Sequence, residues 1–382
     1  MCDVDLAVIG GGLAGCSLIA RLRQRNFKGS IGLVEAGRGA GGRASSRRHR
    51  GAEGWQLDHG APGFNLGAAQ PAALQALLER LLSGGHLVHD TQPFAGLNGS
   101  GQFVQAAEHP QLQGQLFRGH PTMAGLCQGL LALADQPLQT HYRTRVRWLE
   151  RQSNRWILST EDRSWTLSAA KLVLSGNLLA HPRGMNLLGW DAVPLRCAVP
   201  EGDDLQLDQV LNSVGASSSS IRWTCMIQLT ERDLPQLRAE WPRQIWLNQE
   251  ARARWPVQRL VVQPQRNGGI GLVIHGLEEQ TSTQTEQGSD SAARQREQMF
   301  MDILPDLLAC LPGGSSLLQE AVSWGVMRWG AARPLDHPLP CSLQWCENSA
   351  IGFCGDWIDH PGFGRAEGAL QSGVNLAEIL MS

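Results

Sequence analysis

Two residue types are nearly missing. The chain of 382 residues holds two lysines, Lys28 and Lys171, and one tyrosine, Tyr142, so chemistry that needs a lysine base or a tyrosine cage has little to draw on. No stretch approaches the roughly 20 consecutive apolar residues that span a bilayer. The strand-like run Asp5 to Ile9 comes too early for a secretory leader before it, and none is expected. Cysteine is present without any pairing logic: there are nine, an odd number, they are scattered, and CxxC never occurs. That pattern argues against a disulfide framework or a zinc site, reads Cys341 and Cys346 as ordinary thiols, and points to a reducing cytoplasm. A formal charge of −2 gives no field for nucleic acid or an anionic membrane, so the expected partner is a small molecule. Nothing in the composition bears on oligomeric state.

What is present suffices for two domains. Hydrophobic residues make up 42% of the chain and charged ones 18%, and the length exceeds what one core usually covers. Leu74, Leu77, Leu78, Leu81 and Leu82 recur at helical spacing and stop at Gly84-Gly85. A second helix is expected from Pro121 through Leu131. Residues 88–118 read as loops and short strands. Four apolar runs between Thr144 and Ser175, around Val146, Trp156, Trp165 and Leu172, predict a β-meander that returns into a buried strand. Ile221, Trp223, Cys225, Ile227 and Leu229 alternate with polar neighbours, as a half-buried strand does. Residues 259–263, 270–275 and 321–328 read as further strands of that sheet, and 278–296 as an exposed polar loop. A strand from Ile351 and a helix ending near Met381 close the chain.

Between the first strand and its helix lies Gly10-Gly11-Gly12-Leu13-Ala14-Gly15, a G-x-G-x-x-G turn. Glycine there allows a tight turn and lets backbone N–H groups approach a pyrophosphate at the positive helix end. The pattern is weak alone, since glycine-rich loops are common. Here the second strand, Ile31 to Val34, ends in Glu35, 20 residues beyond Gly15. A carboxylate at Glu35, with Ala36 beside it, suits the ribose hydroxyls of an adenosine. FAD and NAD both satisfy this fingerprint. A second turn, Gly41-Gly42-Arg43, follows closely and can bring a forked guanidinium to a diphosphate. Taken alone it would pass for a solvated basic loop.

The other end of the chain favours FAD. Gly355-Asp356 follows a strand and offers a carboxylate to a hydroxylated ribityl chain, which NAD lacks. Gly364 to Gly373 opens a helix whose N-terminus would face the flavin pyrimidine edge, where reduction builds negative charge. Taken alone, Asp356 would pass for a helix cap.

These segments resemble the flavin-containing amine oxidase superfamily, and within it the renalase-like branch. The resemblance rests on the two glycine turns and on Leu57-Asp58-His59-Gly60-Ala61-Pro62-Gly63-Phe64. It rests also on Gly119-His120-Pro121-Thr122-Met123, Arg328-Trp329 with Ala332-Arg333-Pro334, and Glu367-Gly368-Ala369. It implies a non-covalent FAD, with the Val146 backbone at the adenine and Gly60, Ala61 and Ala369 along the flavin. It implies an α/β fold: a Rossmann-type FAD-binding domain, with a parallel sheet plus the β-meander, and an interleaved α+β substrate domain on a mainly antiparallel sheet. The expected division gives 1–66, 121–180 and 346–382 to the FAD domain, and 67–120 and 181–345 to the substrate domain. Two departures stand out. Pro62-Gly63 replaces a glutamine–tyrosine pair frequent in relatives, and Ser175-Gly176-Asn177 replaces the usual small-residue–Thr–Pro end of the returning strand.

The lack of lysine away from Lys28 and Lys171 disfavours a lysine-assisted amine oxidase. No second G-x-G-x-x-G follows a strand, so a nicotinamide donor would have to enter the substrate pocket itself. That agrees with what the resemblance implies: oxidation of a dihydronicotinamide nucleotide, with oxygen as acceptor and hydrogen peroxide as product. His59, His337 and His360 are candidates to orient substrate or move a proton, His59 foremost because its motif carries it to the flavin. Trp324, Trp329, Trp357 and Phe363 are candidates for an aromatic wall. Other flavin oxidases or desaturases, a flavin monooxygenase, or a non-enzymatic binding protein on the same fold remain alternatives.

Overall fold

The structure, a computed structural model, describes residues 2–49, 54–67, 70–91, 94–106, 109–230, 240–280 and 290–382. Strands Cys2–Ile9, Ile31–Glu35 and Thr166–Leu174 carry apolar residues on both faces, as strands covered on both sides must. They form the centre of an eight-stranded sheet. Its order runs Leu138–Tyr142, Ile31–Glu35, Cys2–Ile9, Thr166–Leu174, Arg155–Thr160, Val146–Gln152, with Ile351–Phe353 attached to Thr166–Leu174 and Trp345–Cys346 paired in turn with Ile351–Phe353. The first four strands are parallel.

Thr166–Leu174 serves two sheets' worth of pairing. Thr166 to Ala169 pair antiparallel with Arg155–Thr160, and Leu172 to Leu174 pair parallel with Ile351–Phe353. The runs around Trp165 and Leu172, expected as separate strands, are therefore one. The meander has three strands, because Ser168, Ala169 and Ala170 continue the ladder without a break. Leu138–Tyr142 was not foreseen. Its residues Gln139, Thr140 and His141 show no apolar alternation, and its place comes from parallel pairing with Ile31–Glu35.

Helices Leu13–Gln24 and Ala366–Met381 cover one face of this sheet. They approach so closely that a Cβ on Gly373 would lie 2.2 Å from the Ala14 carbonyl oxygen, and Ser17 Oγ donates to the Leu370 carbonyl (3.0 Å). Leu74, Leu77, Leu78 and Leu81 of helix Ala72–Ser83 join the same core. Helix Leu205–Ala216 packs with Trp156, Leu172 and Phe353 on the other face. The helix expected from Pro121 begins at Met123. Its opening N–H groups are satisfied from another hairpin, Met123 donating to Asp58 Oδ1 (3.0 Å) and Ala124 to Ser46 Oγ (3.1 Å).

The second eight-stranded sheet is antiparallel apart from one pair. Its path is Glu279–Gln280, Ser219–Leu229, Ile270–Gly276, Val257–Pro264, Gln244–Leu247, Phe94–Leu97, Phe103–Val104, and Val322–Pro334 also pairs with Ser219–Leu229. Gln244–Leu247 and Phe94–Leu97 are the parallel pair. One face carries Trp223, Cys225, Ile227, Leu260, Leu272 and Ile274 against Phe300, Leu304, Leu307 and Leu308 of helix Asp290–Ala309. That helix corrects the expectation of a loop over 278–296. Glu279–Gln280 is a strand and 290–296 is helical, while 281–289 lie outside the described residues. The helix escapes a periodicity search because its apolar stripe begins only at Phe300. Ser219–Leu229 is likewise buried on both faces, because Trp55 and Leu57 cover Met226 on the polar side. Among the described residues, no helix is long and apolar enough to cross a membrane.

Candidate active site

A cavity of about 1880 Å³ runs from the first glycine turn to the polar face of the second sheet. Single small-molecule pockets hold roughly 300–1,000 Å³, so there is space here for a dinucleotide and a second molecule.

Contacts that only glycine allows build one end. Gly10 sits at φ +106°, and a Cβ on Gly15 would lie 2.2 Å from the Gly10 carbonyl oxygen. The second turn lies against the first: Gly41 N–H donates to the Gly11 carbonyl (2.7 Å), and a Cβ on Gly42, at φ +53°, would sit 3.1 Å from Gly12 Cα. Glu35 ties both turns down, accepting from Gly11 N–H at Oε2 (2.8 Å) and from Gly37 N–H at Oε1 (2.6 Å). A carboxylate has about four acceptor sites, so capacity remains for a ribose hydroxyl. Ser175, the first of the departures from the family pattern, accepts from Gly15 N–H (3.0 Å).

Arg43 and Asp356 meet. The guanidinium donates through Nη1 to Oδ2 (2.7 Å) and through Nη2 to Oδ1 (2.5 Å), and Nη1 also reaches the Ala332 carbonyl (3.3 Å). Burial opposes the charge on Arg43, and Asp356 more than offsets it, raising the guanidinium above its ordinary value. Arg183, which no motif singles out, stands near this pair. Burial and then Arg43 push it down to about 10, with Asp356 opposing. Asn177, the last of the departures, accepts from Arg183, and Ser219 Oγ lies 3.2 Å from it.

Midway along the cavity, Gly60 passes so close to Arg43 that a Cβ would lie 2.0 Å from the Arg43 carbonyl oxygen. His59 is buried, with its ring 5.2 Å from that of Trp329. Burial first, then Arg47, pull the imidazole down to about 4. It is neutral at neutral pH and suited to orienting a substrate more than to moving a proton there. Asp58 beside it accepts from Ser46 Oγ (2.5 Å) and Met123 N–H. Burial pushes its carboxyl up to about 6 against those bonds and against Arg243 and Arg118.

Most of the sequence candidates gather here. Gly10, Gly12, Leu13, Ala14 and Glu35 line one end; Gly42, Arg43, His59, Gly60 and Ala61 the middle; Gly355, Asp356 and Ala369 the facing wall. Five do not line it: Gly15 lies behind the turn, Ala36 beyond Glu35, Val146 is buried at the edge of the meander opposite Thr160, and Gly368 backs against Gly362. The fifth, Glu367, is buried and held by Gly67 N–H (2.9 Å) and by Arg365 (2.8 Å). Trp324, Trp329 and Trp357 line the cavity and Phe363 does not; among the candidate histidines only His59 does. The far end carries Arg222, Arg259, His275 and Glu278, none of them foreseen. Burial pushes the Cys354 thiol up to about 12.

Residues 8–81 match the family described as NAD(P)-binding Rossmann-like domain. The whole chain is similar in fold to a cyclohexylamine oxidase from Brevibacterium oxydans, with a TM-score of 0.63 and 13% identity over 99% of both chains. It is similar also to an Exiguobacterium protein assigned as a protoporphyrinogen oxidase, at 0.61 and 12% over 99% of this chain and 98% of that one. A p-nitrophenol 4-monooxygenase from Pseudomonas putida reaches 0.51 and 14%, over all of this chain and 79% of that one. No curated protein matches the chain in sequence. The chain thus has a mixed α/β fold with a Rossmann-like dinucleotide layer and a second sheet. It is the fold on which flavin-containing amine oxidases and their relatives are built.

Proposed function

We propose that the chain is an FAD-dependent oxidoreductase of the oxidase type that takes a hydride from a small molecule, with a dihydronicotinamide nucleotide as the substrate class. The observation that carries this reading is the single continuous cavity, with the glycine turns and Glu35 at one end and an enclosed polar sheet face at the other. The residues present fit FAD: at Gly12 and Gly42 the wall is bare backbone, and Gly60 packs on the Arg43 carbonyl where no Cβ fits. Glu35 keeps acceptor capacity for the ribose. Arg43 and Arg183 supply positive charge for a diphosphate, and Asp356 a carboxylate for ribityl hydroxyls. Bound there, FAD supplies two-electron acceptor chemistry, by which a hydride leaves the substrate and oxygen takes up the electrons as hydrogen peroxide. His59, neutral and tilted against the Trp329 ring, orients the substrate ring, and the tryptophans exclude water from it.

The division into an FAD domain (1–66, 121–180, 346–382) and a substrate domain (67–120, 181–345) belongs to the same proposal. A dihydronicotinamide is favoured over an amine by a further observation. Neither lysine lines the cavity: Lys28 precedes the second strand of the Rossmann layer, and Lys171 lies over the Trp345 ring, 5.6 Å from its centre. Flavin released from the purified protein by heat or acid and separated by chromatography is expected to be FAD. FMN, or a protein that never carries flavin, would overturn the cofactor assignment.

A further inference from the structure

The polar face of the second sheet holds an ordered row. Reading across neighbouring strands, Trp246 stands opposite Arg259, Arg259 opposite His275, His275 opposite Thr224, and Thr224 opposite Met327. Residues opposite each other in a ladder share a face, and Arg259, His275 and Met327 line the cavity. All of the first four are buried. In each of them a buried polar atom has no hydrogen-bond partner: Trp246 Nε1, Arg259 Nε, His275 Nε2 and Thr224 Oγ1. Buried polar atoms are satisfied in the great majority of cases, so four orphans in one row, two of them on the cavity-lining Arg259 and His275, point to a ligand that completes them.

The charge of the row says which kind. Arg259 reaches only two amide oxygens, of Gln111 and Gln244, each at 3.3 Å, and lies over the Trp246 ring. It has no ion pair among the described residues. The acid that acts on it, Glu278, has both oxygens committed, Oε1 to Arg222 (2.6 Å) and Oε2 to Arg333 (2.9 Å). Burial first, and Arg222 second, push Arg259 down to about 9, with Glu278 opposing. His275 is held neutral by burial and by the same two arginines. Three arginines therefore stand around one carboxylate, and Arg259, as buried as Arg222, is the one left unpaired. A buried guanidinium without a carboxylate is costly unless something else supplies the negative charge.

We propose that the substrate carries an oxyanion, either a carboxylate or a phosphate, and that Arg259 receives it with Thr224 and His275 as neutral hydrogen-bonding partners. This rests on the reading of the cavity as the substrate pocket. It also makes the pocket hostile to a compact ammonium, which would meet Arg222 and Arg259, with Glu278 already committed to Arg222 and Arg333.

Acetate and inorganic phosphate, titrated separately into the FAD-loaded protein, test this. Perturbation of the flavin absorbance is one readout, and calorimetry is a second that needs no flavin. Saturable binding of one probe is expected, weakened about tenfold to a hundredfold by Arg259→Gln and partly restored by Arg259→Lys. Acetate binding assigns a carboxylate and phosphate binding a phosphate. Thr224→Val keeps the shape and removes an orphaned hydroxyl, so it is expected to leave thermal stability unchanged or raised while weakening the anion about threefold to tenfold. Failure of both probes to saturate, or equal affinity in wild type and in the Arg259→Gln and Thr224→Val proteins, would overturn the proposal. A colourless protein that binds the anion through Arg259 would sink the flavin reading alone. A yellow one indifferent to both anions would sink only this proposal.

Discussion

Asp58 and His59 are adjacent, buried and titrate in opposite senses. The Asp58 carboxyl is raised from 3.8 to about 6, so between those values the folded state binds more protons than the unfolded one. Its contribution is most favourable below about pH 4 and is lost as pH rises through 6. His59 is lowered from 6.5 to about 4, so the unfolded state holds the extra proton and stability rises with pH over much the same window. Each shift corresponds to about 3 kcal/mol, and in the wild-type protein the two largely cancel. Asp58→Asn should therefore show stability that climbs more steeply than wild type from pH 4 to 6, and His59→Gln stability that falls. Denaturant titrations at stepped pH read this directly; parallel curves for all three proteins would mean that neither group is shifted. Because His59 is already neutral at pH 6, the activity profile of the wild-type enzyme should carry no inflection from it near neutrality.

Glu35 has a structural role that its sequence position does not reveal, beside the ribose contact proposed for it. Its bonds to Gly11 and Gly37 N–H exist without any ligand, and charge-assisted bonds of this kind contribute about 1.5–3 kcal/mol each. Glu35→Ala is expected to lower the thermal stability of the apoprotein and to raise the FAD dissociation constant about tenfold to a hundredfold. Calorimetric titration with FAD, beside a melting curve of apoprotein, separates the two effects. Unchanged FAD affinity with lowered stability would remove Glu35 from the ribose.

At the scale of elements, the first strand–turn–helix–strand unit is legible in the sequence because its glycines stand where a side chain cannot fit. A Cβ on Gly15 would meet the Gly10 carbonyl, and one on Gly60 the Arg43 carbonyl, at about van der Waals overlap of two backbones (2.2 and 2.0 Å). Backbone atoms cannot rotate away as a side chain can. Gly15→Ala and Gly60→Ala should each destabilise by about 1–3 kcal/mol or more and leave the protein poor in flavin, measured as the ratio of visible to ultraviolet absorbance. Retention of full flavin content by Gly15→Ala would show that the turn relaxes. Other elements are illegible for equally local reasons. Leu138–Tyr142 is a strand through its neighbour's ladder, not through its own residues, and the polar first turns of Asp290–Ala309 resemble a loop until Phe300, its first fully buried residue. Arg222 and Arg259 read as outward-facing positions of alternating strands. They are interior because Arg222 pairs with Glu278 and Arg259 lies over the Trp246 ring beside Gln111 and Gln244.

The whole molecule joins two sheets around one cavity, and both ends of the chain contribute to its dinucleotide end. That convergence is why much of the cofactor half can be read from sequence: the motifs near residues 10, 42, 60 and 355 lie far apart in the chain and meet in space. The substrate half depends on cross-strand register, which no spacing encodes. In the proposed function the flavin takes its hydride from a dihydronicotinamide and not from an amine. Anaerobic stopped-flow, following loss of oxidised-flavin absorbance with each donor at matched concentration, tests it most directly. Rapid bleaching by a dihydronicotinamide nucleotide is expected, with non-standard ring isomers faster than the common β-form, and slow or no bleaching by primary amines and polyamines. Rapid bleaching by a simple amine, with none by any dihydronicotinamide, would contradict it.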